Sequence, residues 1–466
     1  MTKNTLNTRI AALTLSIALL SGCSALTRSE FQSPALTVPS GWQNQVQNRA
    51  PGVDPWWQAF NDPQLNQLIE RALETNNDLA QATLTLRKAR LQAGVKEQEL
   101  FPQLSASLST SRSKPLDGGS SSRSYDATLS VSYEADLWGR VAANVDASKW
   151  TALASAEDRE ATAQALVATT ATLYWQIGYL QQRLTLTDAS LAYAEKTLSL
   201  TQTQYEAGAV SRLNVLQATR SLAAQRANRI ELERQLGEAQ NALAILFNQP
   251  PNSHETSITQ LPETPLPQVN AGVPADLLLR RPDVKSALYS LRASLASRDA
   301  TAAAYLPTLT LTGQVGDASS ALRELLSNPV GTLGAGLVLP FLQWNEMQIN
   351  KEIARVEYES AIITYRDTLY QAFEDVDNAL SAISHYQAQG QQLEQQYASA
   401  AEAERLYESQ YRNGAAAIQD WLDAQDDRRS AEESLLESRY KRLTAMATLY
   451  QALGGRDTML NEPTGS

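Results

Sequence analysis

An internal repeat constrains the fold of this chain more than any other feature of its sequence. The segment YEAGAVSRLNVLQA begins at Tyr205, and the related segment YRNGAAAIQDWLDA begins at Tyr411, about 206 residues later. Each has a Tyr-x-x-Gly turn followed by a helical pattern. The repeat predicts two copies of one structural unit, in which equivalent turns are formed by Tyr205 with Gly208 and by Tyr411 with Gly414.

Each half of the chain predicts the same succession of elements. A helix stops at Phe101-Pro102 in the first half and at Tyr305-Leu306-Pro307 in the second. Two segments that alternate with period two then predict a β-hairpin. A helical pattern of about 65 residues follows, which would be about 95 Å long at 1.5 Å per residue. The Tyr-x-x-Gly turn and a returning helix complete the unit.

The predicted strands have one apolar and one polar face. In the segment YDATLSVSY, Ala127 and Leu129 point to one side, whereas Thr128 and Ser130 point to the other. This alternation is typical of membrane β-barrels, whose apolar residues face lipid. The other predicted apolar-face residues are Val131, Tyr133, Leu309, Leu311, Val315, Leu333, Ala335, Leu337 and Leu339.

Four strands per chain cannot close a barrel. An open sheet edge in lipid leaves backbone groups without hydrogen bonds, at a cost of several kcal/mol each. Two copies would give eight strands and an interior filled by side chains, whereas three would give twelve strands and a lumen. The Ser and Thr residues on the polar face favour a water-filled lumen, so we expect three copies.

Aromatic residues mark the predicted junctions between strands and helices, on what we expect to be the periplasmic side. Aromatic side chains at such positions match an interfacial girdle. The alternative is that they only pack the corner between helix and strand, and both interpretations can hold. These residues are Phe101, Trp138, Tyr305, Phe341 and Trp344.

The predicted long helices carry apolar residues at spacings of three and four. Such stripes are typical of coiled-coil seams, and we interpret them as structural. One stripe contains Leu166, Leu173, Leu180 and Leu184, and the other contains Ile349, Ile353, Val356, Ile363 and Phe373.

The N-terminus has the pattern of an export signal. Lys3 and Arg9 precede the apolar run IAALTLSIALL, which is too short to span a bilayer. The following Leu-Ser-Gly-Cys resembles the bacterial lipobox, which implies cleavage before Cys23, acylation of that residue and sorting to the outer membrane. Cys23 is the only cysteine. The alternative is an ordinary signal cut near Ala25 that leaves a free thiol.

The composition argues against nucleic acid and against catalysis. The net charge is −11, and loss of residues 1–22 with Lys3 and Arg9 would bring it near −13, so nucleic acid is not an expected partner. The two histidines, His254 and His385, lie in a Pro-rich loop and in mid-helix. No nucleophile motif, phosphate loop or metal-spaced cluster accompanies them. We expect no enzymatic activity, no metal and no cofactor beyond the acyl lipid on Cys23.

These patterns together divide the chain into ten predicted segments. They are a signal peptide at 1–22, a lipidated linker at 23–55, helices of the first repeat at 56–100, the first β-hairpin at 101–140, a long and a returning helix at 141–249, a Pro-rich connection at 250–281, a helix of the second repeat at 282–304, the second β-hairpin at 305–344, a long and a returning helix at 345–455, and a tail at 456–466.

The chain resembles the TolC/NodT-type outer-membrane factors over nearly all of its predicted mature length. The resemblance rests on WWQAFNDPQL, FPQLSASLS, YEADLWGR, LLLRRPDV, YLPTLTLTG and the two Tyr-x-x-Gly segments. It implies an α+β membrane channel in which three protomers form a twelve-strand β-barrel continuous with a long α-helical coiled-coil barrel. It also implies a lipid-anchored outer-membrane location and docking of a periplasmic adaptor and an inner-membrane efflux transporter.

An acidic constellation follows the second turn. Asp420, Asp423 and Asp427 fall on one helical face, whereas the matching residues of the first repeat are Asn214, Gln217 and Ser221. The resemblance implies that Asp420 and Asp423 line a periplasmic aperture, with six carboxylates in a trimer, and that Tyr411 helps to hold the aperture closed. A basic partner known in relatives is replaced by Ala416. The alternative role for Asp420 is to stabilise the helix N-terminus.

We expect an exit channel for drugs or other small solutes in a tripartite efflux pump. The predicted mature chain has only three scattered methionines, which disfavours copper or silver as its cargo. The alternative function is a periplasmic structural or adaptor lipoprotein with coiled-coil hairpins, which would not account for two alternating hairpins.

Overall fold

The computed structural model describes residues 27–42, 55–251, 253, 258–262, 266–267, 274 and 280–455. The predicted signal peptide, the lipidation site Cys23, His254 and the tail at 456–466 lie outside the described residues. So do much of the predicted linker and much of the Pro-rich connection.

Seven helices and four strands of the described residues follow the predicted order. The helices are α1 Pro63–Thr75, α2 Asn77–Gln98, α3 Arg140–Glu206, α4 Arg212–Leu246, α5 Pro282–Ala303, α6 Trp344–Arg412 and α7 Ile418–Ala452. The strands are β1 Gln103–Ser113, β2 Ser122–Ala135, β3 Thr308–Ser319 and β4 Val330–Val338. Short 3-10 turns occupy Trp56–Phe60, Leu322–Glu324 and Pro340–Leu342. Within the described ranges, no helix combines the length and the apolar character needed to cross a membrane.

Side-chain caps explain where several helices begin. Asp62 accepts hydrogen bonds from the backbone N–H groups of Gln64 and Leu65 at 3.0 and 3.1 Å, which satisfies the start of α1. Asp136 accepts from the N–H groups of Val141 and Ala142 at 3.0 and 2.8 Å. Asp136 of the DLWGR motif, which directly follows β2, therefore caps the N-terminus of α3.

The four strands form one antiparallel sheet in the order β1-β2-β3-β4. Its register brings the predicted apolar-face residues of β2, β3 and β4 onto one face, together with Leu104, Ala106 and Leu108 of β1. Leu129, for example, pairs with Ala106 on one side and Val315 on the other. The polar face is aligned in the same way, and Ser105 and Ser130 are hydrogen-bonded across it at 2.8 Å. The prediction of two hairpins with one apolar and one polar face is confirmed, except that β4 ends at Val338 and Leu339 lies beyond the strand.

The chain divides into two compact units. One comprises residues 27–36 of the described N-terminal segment, Leu84–Glu157 and Lys285–Thr368, and therefore holds the sheet. Its helices pack closely where Ala89, Ala93 and Ala152 form a small buried cluster. The alanines let the two helix backbones approach each other.

The second unit comprises the described residues of Thr37–Thr83, Asp158–Val284 and Leu369–Ser466. An aromatic cluster lies in its core. Trp56 stacks on Tyr450 at a centroid distance of 4.9 Å, and Phe60 lies 4.9 Å from Trp175. All four side chains are buried.

The predicted seam residues divide into buried and exposed sets. Leu166 and Leu180 of α3 and Phe373 of α6 are buried, and Leu173 and Leu184 are half-buried. The remaining predicted seam residues, Ile349, Ile353, Val356 and Ile363, are exposed along α6. This part of α6 therefore presents an exposed apolar stripe that the other described residues do not cover.

Candidate functional site

The two Tyr-x-x-Gly segments form the same backbone turn. The N–H of Gly208 donates to the carbonyl of Tyr205 at 2.9 Å, and the next N–H donates to the carbonyl of Gln204 at 2.8 Å. The corresponding distances at Gly414 are 3.0 and 2.8 Å. Both glycines have a φ of 74°, the left-handed conformation that ends a helix in the Schellman motif. The conformation, and not lack of space, requires glycine, because nothing lies within 4 Å of an added Cβ.

The tyrosines of the two turns have different environments. Tyr205 is 40% exposed, whereas Tyr411 is 7% exposed. The hydroxyl of Tyr411 donates to Oε1 of Gln204 at 2.5 Å. This bond joins the end of α6 to the end of α3.

An aromatic cluster holds Tyr411 in place. Its ring stacks on Trp421 at a centroid distance of 5.1 Å, and Tyr193 of α3 meets the same indole edge-on at 5.9 Å. Ile418 and Leu422 complete the buried cluster. The α7 face opposite the predicted acidic face therefore packs against α3 and α6.

The three predicted aperture residues, Asp420, Asp423 and Asp427, are all exposed on α7. Asp420 accepts a hydrogen bond from the N–H of Ala417 at 3.1 Å, so it also caps the helix, as the alternative interpretation requires. Asp423 accepts from Gln419 at 2.6 Å. In the part of the chain that the structure describes, no lysine or arginine forms an ion pair with any of the three. The chain thus presents a carboxylate face that its described residues do not neutralise.

The first repeat has no such face. Asn214, Gln217 and Ser221 occupy the corresponding positions on α4 and are half-buried. Two leucines of the same helix are exposed beside the Gly208 turn, Leu213 at 62% and Leu216 at 55%. The two turns therefore have the same backbone conformation but different surfaces. The surface beside the Gly414 turn is acidic, and the surface beside the Gly208 turn is apolar.

A charged cavity of about 370 Å³ lies near the second turn, between α3, α6 and α7. Arg428 on its wall is ion-paired with the buried Glu404 and, at 2.6 Å, with Glu432. Burial lowers the pKa of Arg428, but the two carboxylates outweigh it and raise that pKa overall. Burial, reinforced by Glu408 and Glu404, raises the pKa of Tyr193. The arginine therefore stays charged and the tyrosine neutral.

The junction aromatics do not share one environment. Phe101, Phe341 and Trp344 are exposed in the protomer. Tyr305 is buried, and its hydroxyl accepts a hydrogen bond from Asn350 at 2.6 Å. Trp138 is half-buried and donates from Nε1 to the carbonyl of Pro307 at 2.8 Å. Tyr305 and Trp138 therefore pack the corners, whereas the three exposed residues remain candidates for an interfacial girdle.

The N-terminal segment is fastened to the unit that holds the sheet. Thr27 donates from Oγ1 to the carbonyl of Trp138 at 2.6 Å, directly after the end of β2. Arg28 pairs with Asp146 at 3.1 Å. The backbone and hydroxyl of Ser29 both donate to Asp299, at 2.6 and 2.8 Å. Thr27, which is bound at this junction between strand and helix, is therefore only four positions after Cys23 in the sequence.

The described residues contain no group of three or more His, Cys, Asp and Glu side chains placed to hold a metal ion. His385 is exposed on α6, where its Nδ1 lies 2.7 Å from the carbonyl oxygen of Ser381.

The sequence identified the turns but not the side chains that tie them together. Gln204, Trp421 and Tyr193 have no individual sequence signal, because their contacts join helices separated by about 200 residues. The adjacency of Gln204 to Tyr205 could have indicated that the first turn supplies the acceptor for the tyrosine of the second.

Comparison with known families gives a match over most of the chain. The family described as "Outer membrane efflux protein" matches residues 68–249 and 273–455. The chain is 32% identical to the "Pyoverdine export outer membrane protein OpmQ" of Pseudomonas putida, over 97% of this chain and 98% of that protein. It is 31% identical to the "Probable efflux pump outer membrane protein TtgC" of the same species, over 98% and 96%.

The fold is also similar to that of solved channels. The open state of the MtrE outer membrane channel of Neisseria gonorrhoeae superimposes with a TM-score of 0.83 at 30% sequence identity. The match covers 92% of this chain and 98% of the MtrE chain.

Proposed function

We propose that this chain, which belongs to the outer membrane efflux protein family, is the outer-membrane exit channel of an efflux system. The observation that carries the proposal is the four-stranded sheet, whose register separates an apolar from a polar face across all strands. A sheet of this kind can face lipid on one side and a water-filled lumen on the other.

The channel requires several copies of the chain. Among the described residues β1 and β4 each pair on one side only, so both edges of the sheet are open. Open edges in lipid are costly, and pairing β4 of one copy with β1 of the next satisfies them. Three copies give twelve strands and a lumen. The exposed apolar stripe of α6 would be covered by the neighbouring copies in the same assembly.

An N-terminal lipid would anchor the channel. We assign cleavage before Cys23 and acylation of that residue. Thr27 is four positions after Cys23, so the two residues can be at most about 14 Å apart. Because Thr27 is bound at the end of β2, the acyl chains would lie beside the lower edge of the barrel, where the inner leaflet begins.

The three exposed carboxylates of α7 would form the selective part of the channel. A trimer would bring six carboxylates from Asp420 and Asp423 to one constriction, with Asp427 behind them. A ring of this charge admits cations and binds a blocking cation. The Tyr411 bond and its aromatic cluster would hold the helices in the closed arrangement.

A periplasmic adaptor and an inner-membrane transporter are the partners that a channel without an energy source needs. The exposed Leu213 and Leu216 beside the first turn offer an apolar surface for the adaptor. For the cargo we propose small organic solutes such as drugs. One relative is named for pyoverdine export, which makes pyoverdine a second candidate.

Single-channel recording in planar bilayers tests the proposal. The wild-type protein should insert as a cation-selective channel that multivalent cations block from the periplasmic side. The variant with Asp420→Ala and Asp423→Ala should lose most of this selectivity and block while it still conducts.

The matched control is Asp426→Ala, because Asp426 lies on the same helix but is paired with Arg429. This control should keep the wild-type selectivity. Absence of any ion current from the assembled protein would contradict the channel itself, whereas unchanged selectivity in the double variant would contradict only the acidic ring.

A further inference from the structure

Two arginines lie directly opposite each other near the tip of the first hairpin. Arg112 of β1 pairs in register with Arg123 of β2, and Lys114 follows one residue after β1 ends. All three side chains are exposed. Like charges directly opposite each other on a sheet are destabilising, so their retention needs a compensating interaction.

The two arginines lie on the apolar face of the sheet. The register of β1 and β2 is continuous from Gln103 to Ser113, so residues two apart share a face. Towards the tip, this face presents the pair Leu108 and Ala127, then Thr110 and Tyr125, then Arg112 and Arg123. A succession of apolar, aromatic and cationic side chains is typical of a surface that passes from the membrane core into the headgroup layer.

Among the residues that the structure describes, no carboxylate is fixed as a partner of this pair. In the described part of the chain, neither arginine forms an ion pair, and their polar contacts are to Ser121 and to Tyr125 at 3.4 Å. Three acids lie in the neighbourhood. Asp117 is exposed in the hairpin loop, Asp126 is on the opposite face, and Asp317 accepts a hydrogen bond from the N–H of Asn328.

The second hairpin gives an internal comparison. Its tip carries Arg323, which pairs with its neighbour Glu324 at 3.5 Å. The cross-strand pairs of β3 and β4 contain no two cations. The uncompensated basic cluster is therefore a property of the first hairpin and not a general consequence of the duplicated architecture.

We propose that Arg112, Lys114 and Arg123 form a binding site for the phosphate groups of phosphorylated glycolipids in the outer leaflet of the membrane. This inference rests on the proposed function, which directs the apolar face to lipid and the hairpin tips outward. Two guanidinium groups on adjacent strands can bind one phosphate through paired N–H donors. A trimer carries three such sites around its outer rim.

Lipid binding by the purified, assembled trimer tests the site. The probes are diphosphorylated lipid A and phosphatidylethanolamine, each titrated in detergent micelles against labelled protein. The wild type should bind diphosphorylated lipid A, and the variant with Arg112→Gln and Arg123→Gln should bind it about 30-fold more weakly. Phosphatidylethanolamine should bind both proteins weakly and equally.

The matched control is Arg323→Gln, which removes one exposed arginine from the other hairpin and should leave lipid A affinity unchanged. Inorganic phosphate at millimolar concentration should not displace the lipid, because the adjacent apolar face also contributes to binding. Equal affinity of the wild type and the double variant, or full displacement by phosphate, would overturn the proposal.

Channel recording on the same samples separates this inference from the function on which it rests. Normal conductance with unaltered lipid A binding in the double variant would overturn the lipid site alone. Absence of conductance in the wild type would overturn the channel. If the double variant does not assemble, Arg123→Gln alone replaces it, with about fivefold weaker binding expected.

Discussion

The hydroxyl of Tyr411 donates a hydrogen bond to the side chain of Gln204, the residue that precedes the equivalent tyrosine of the other repeat. The duplicated turns are thus joined through one asymmetric contact. The second turn provides the donor, and the first provides the acceptor. Opening that separates α6 from α3 at this end must break the bond.

Tyr411→Phe should make the channel open more easily. The substitution keeps the ring on Trp421 and removes only the hydroxyl, which costs about 1 kcal/mol per protomer. If three such bonds break together, the opening equilibrium shifts by up to about 100-fold. The open probability of single channels measures this shift. Tyr205→Phe is the control, because that side chain is 40% exposed and lies outside the Trp421 cluster. An equal open probability in both variants would argue against the Tyr411 hydrogen bond holding the channel closed.

The turn glycines should be sensitive to alanine in spite of the space around them. Gly208→Ala and Gly414→Ala each force a side chain into a left-handed conformation and should cost about 1 kcal/mol. Gly237 has equally open surroundings but lies inside α4, so Gly237→Ala should stabilise the protein by about 0.5–1 kcal/mol. Thermal unfolding of the purified protein in detergent measures both the expected losses and the expected gain of stability. A loss of stability in all three variants would show that steric contact, and not φ, decides the outcome.

Arg428→Met should strongly destabilise the second of the two compact units. The substitution leaves Glu404, which is 8% exposed, without its cation, and an unpaired buried charge costs about 3–5 kcal/mol. Arg405→Met is the matched control. Arg405 pairs with Glu402, and both are exposed on α6, the helix that carries Glu404, so this substitution should cost less than about 1 kcal/mol. Adding Glu404→Gln to Arg428→Met should recover part of the stability. Denaturant unfolding measures the three variants, and equal losses for both arginines would refute the argument.

Alkaline pH should weaken the same unit between about pH 10 and 12. Burial raises the pKa of Tyr450 to about 12, whereas the unfolded side chain ionises near pH 10. Because the folded pKa is the higher one, the stabilisation is complete below pH 10 and is lost as the pH rises through 12. Tyr450→Phe removes this titration, so its melting temperature should fall less steeply over this range than that of the wild type. If the melting temperatures of the wild type and of Tyr450→Phe fall equally steeply with pH, ionisation of Tyr450 does not cause the loss of stability.

The sequence predicted the elements well because its signals are local. Alternation placed the apolar residues of β2, β3 and β4, and the observed register aligns them on one face with the apolar residues of β1. The predicted ends of the two long helices lie close to the observed ones, because Gly208 and Gly414 permit the left-handed conformation that ends each helix. Leu339 was placed in a strand by its alternation alone, although the proline that follows it ends the pairing.

Contacts between distant residues could not be predicted in the same way. Tyr205 and Tyr411 have the same turn signal, yet only Tyr411 is buried, because Trp421 and Tyr193 meet there through helices that the sequence does not align. From its position Tyr305 could belong to an interfacial girdle or pack the corner between helix and strand. The sequence did not decide between these two roles, which the burial of Tyr305 and its hydrogen bond with Asn350 distinguish. The basic pair of the first hairpin became visible only with the register, since ten residues separate Arg112 from Arg123 in sequence.

The number of chains that close the sheet is the central claim, and disulfide cross-linking between edge strands tests it most directly. One cysteine replaces Ser107 in β1, and a second replaces Thr332, Gly334 or Gly336 in β4, all on the polar face. Oxidation should join β4 of one copy to β1 of the next, and denaturing electrophoresis should show a ladder that ends at three chains. A ladder that ends at two or four chains, or a protein that stays monomeric with every pair, would contradict the account.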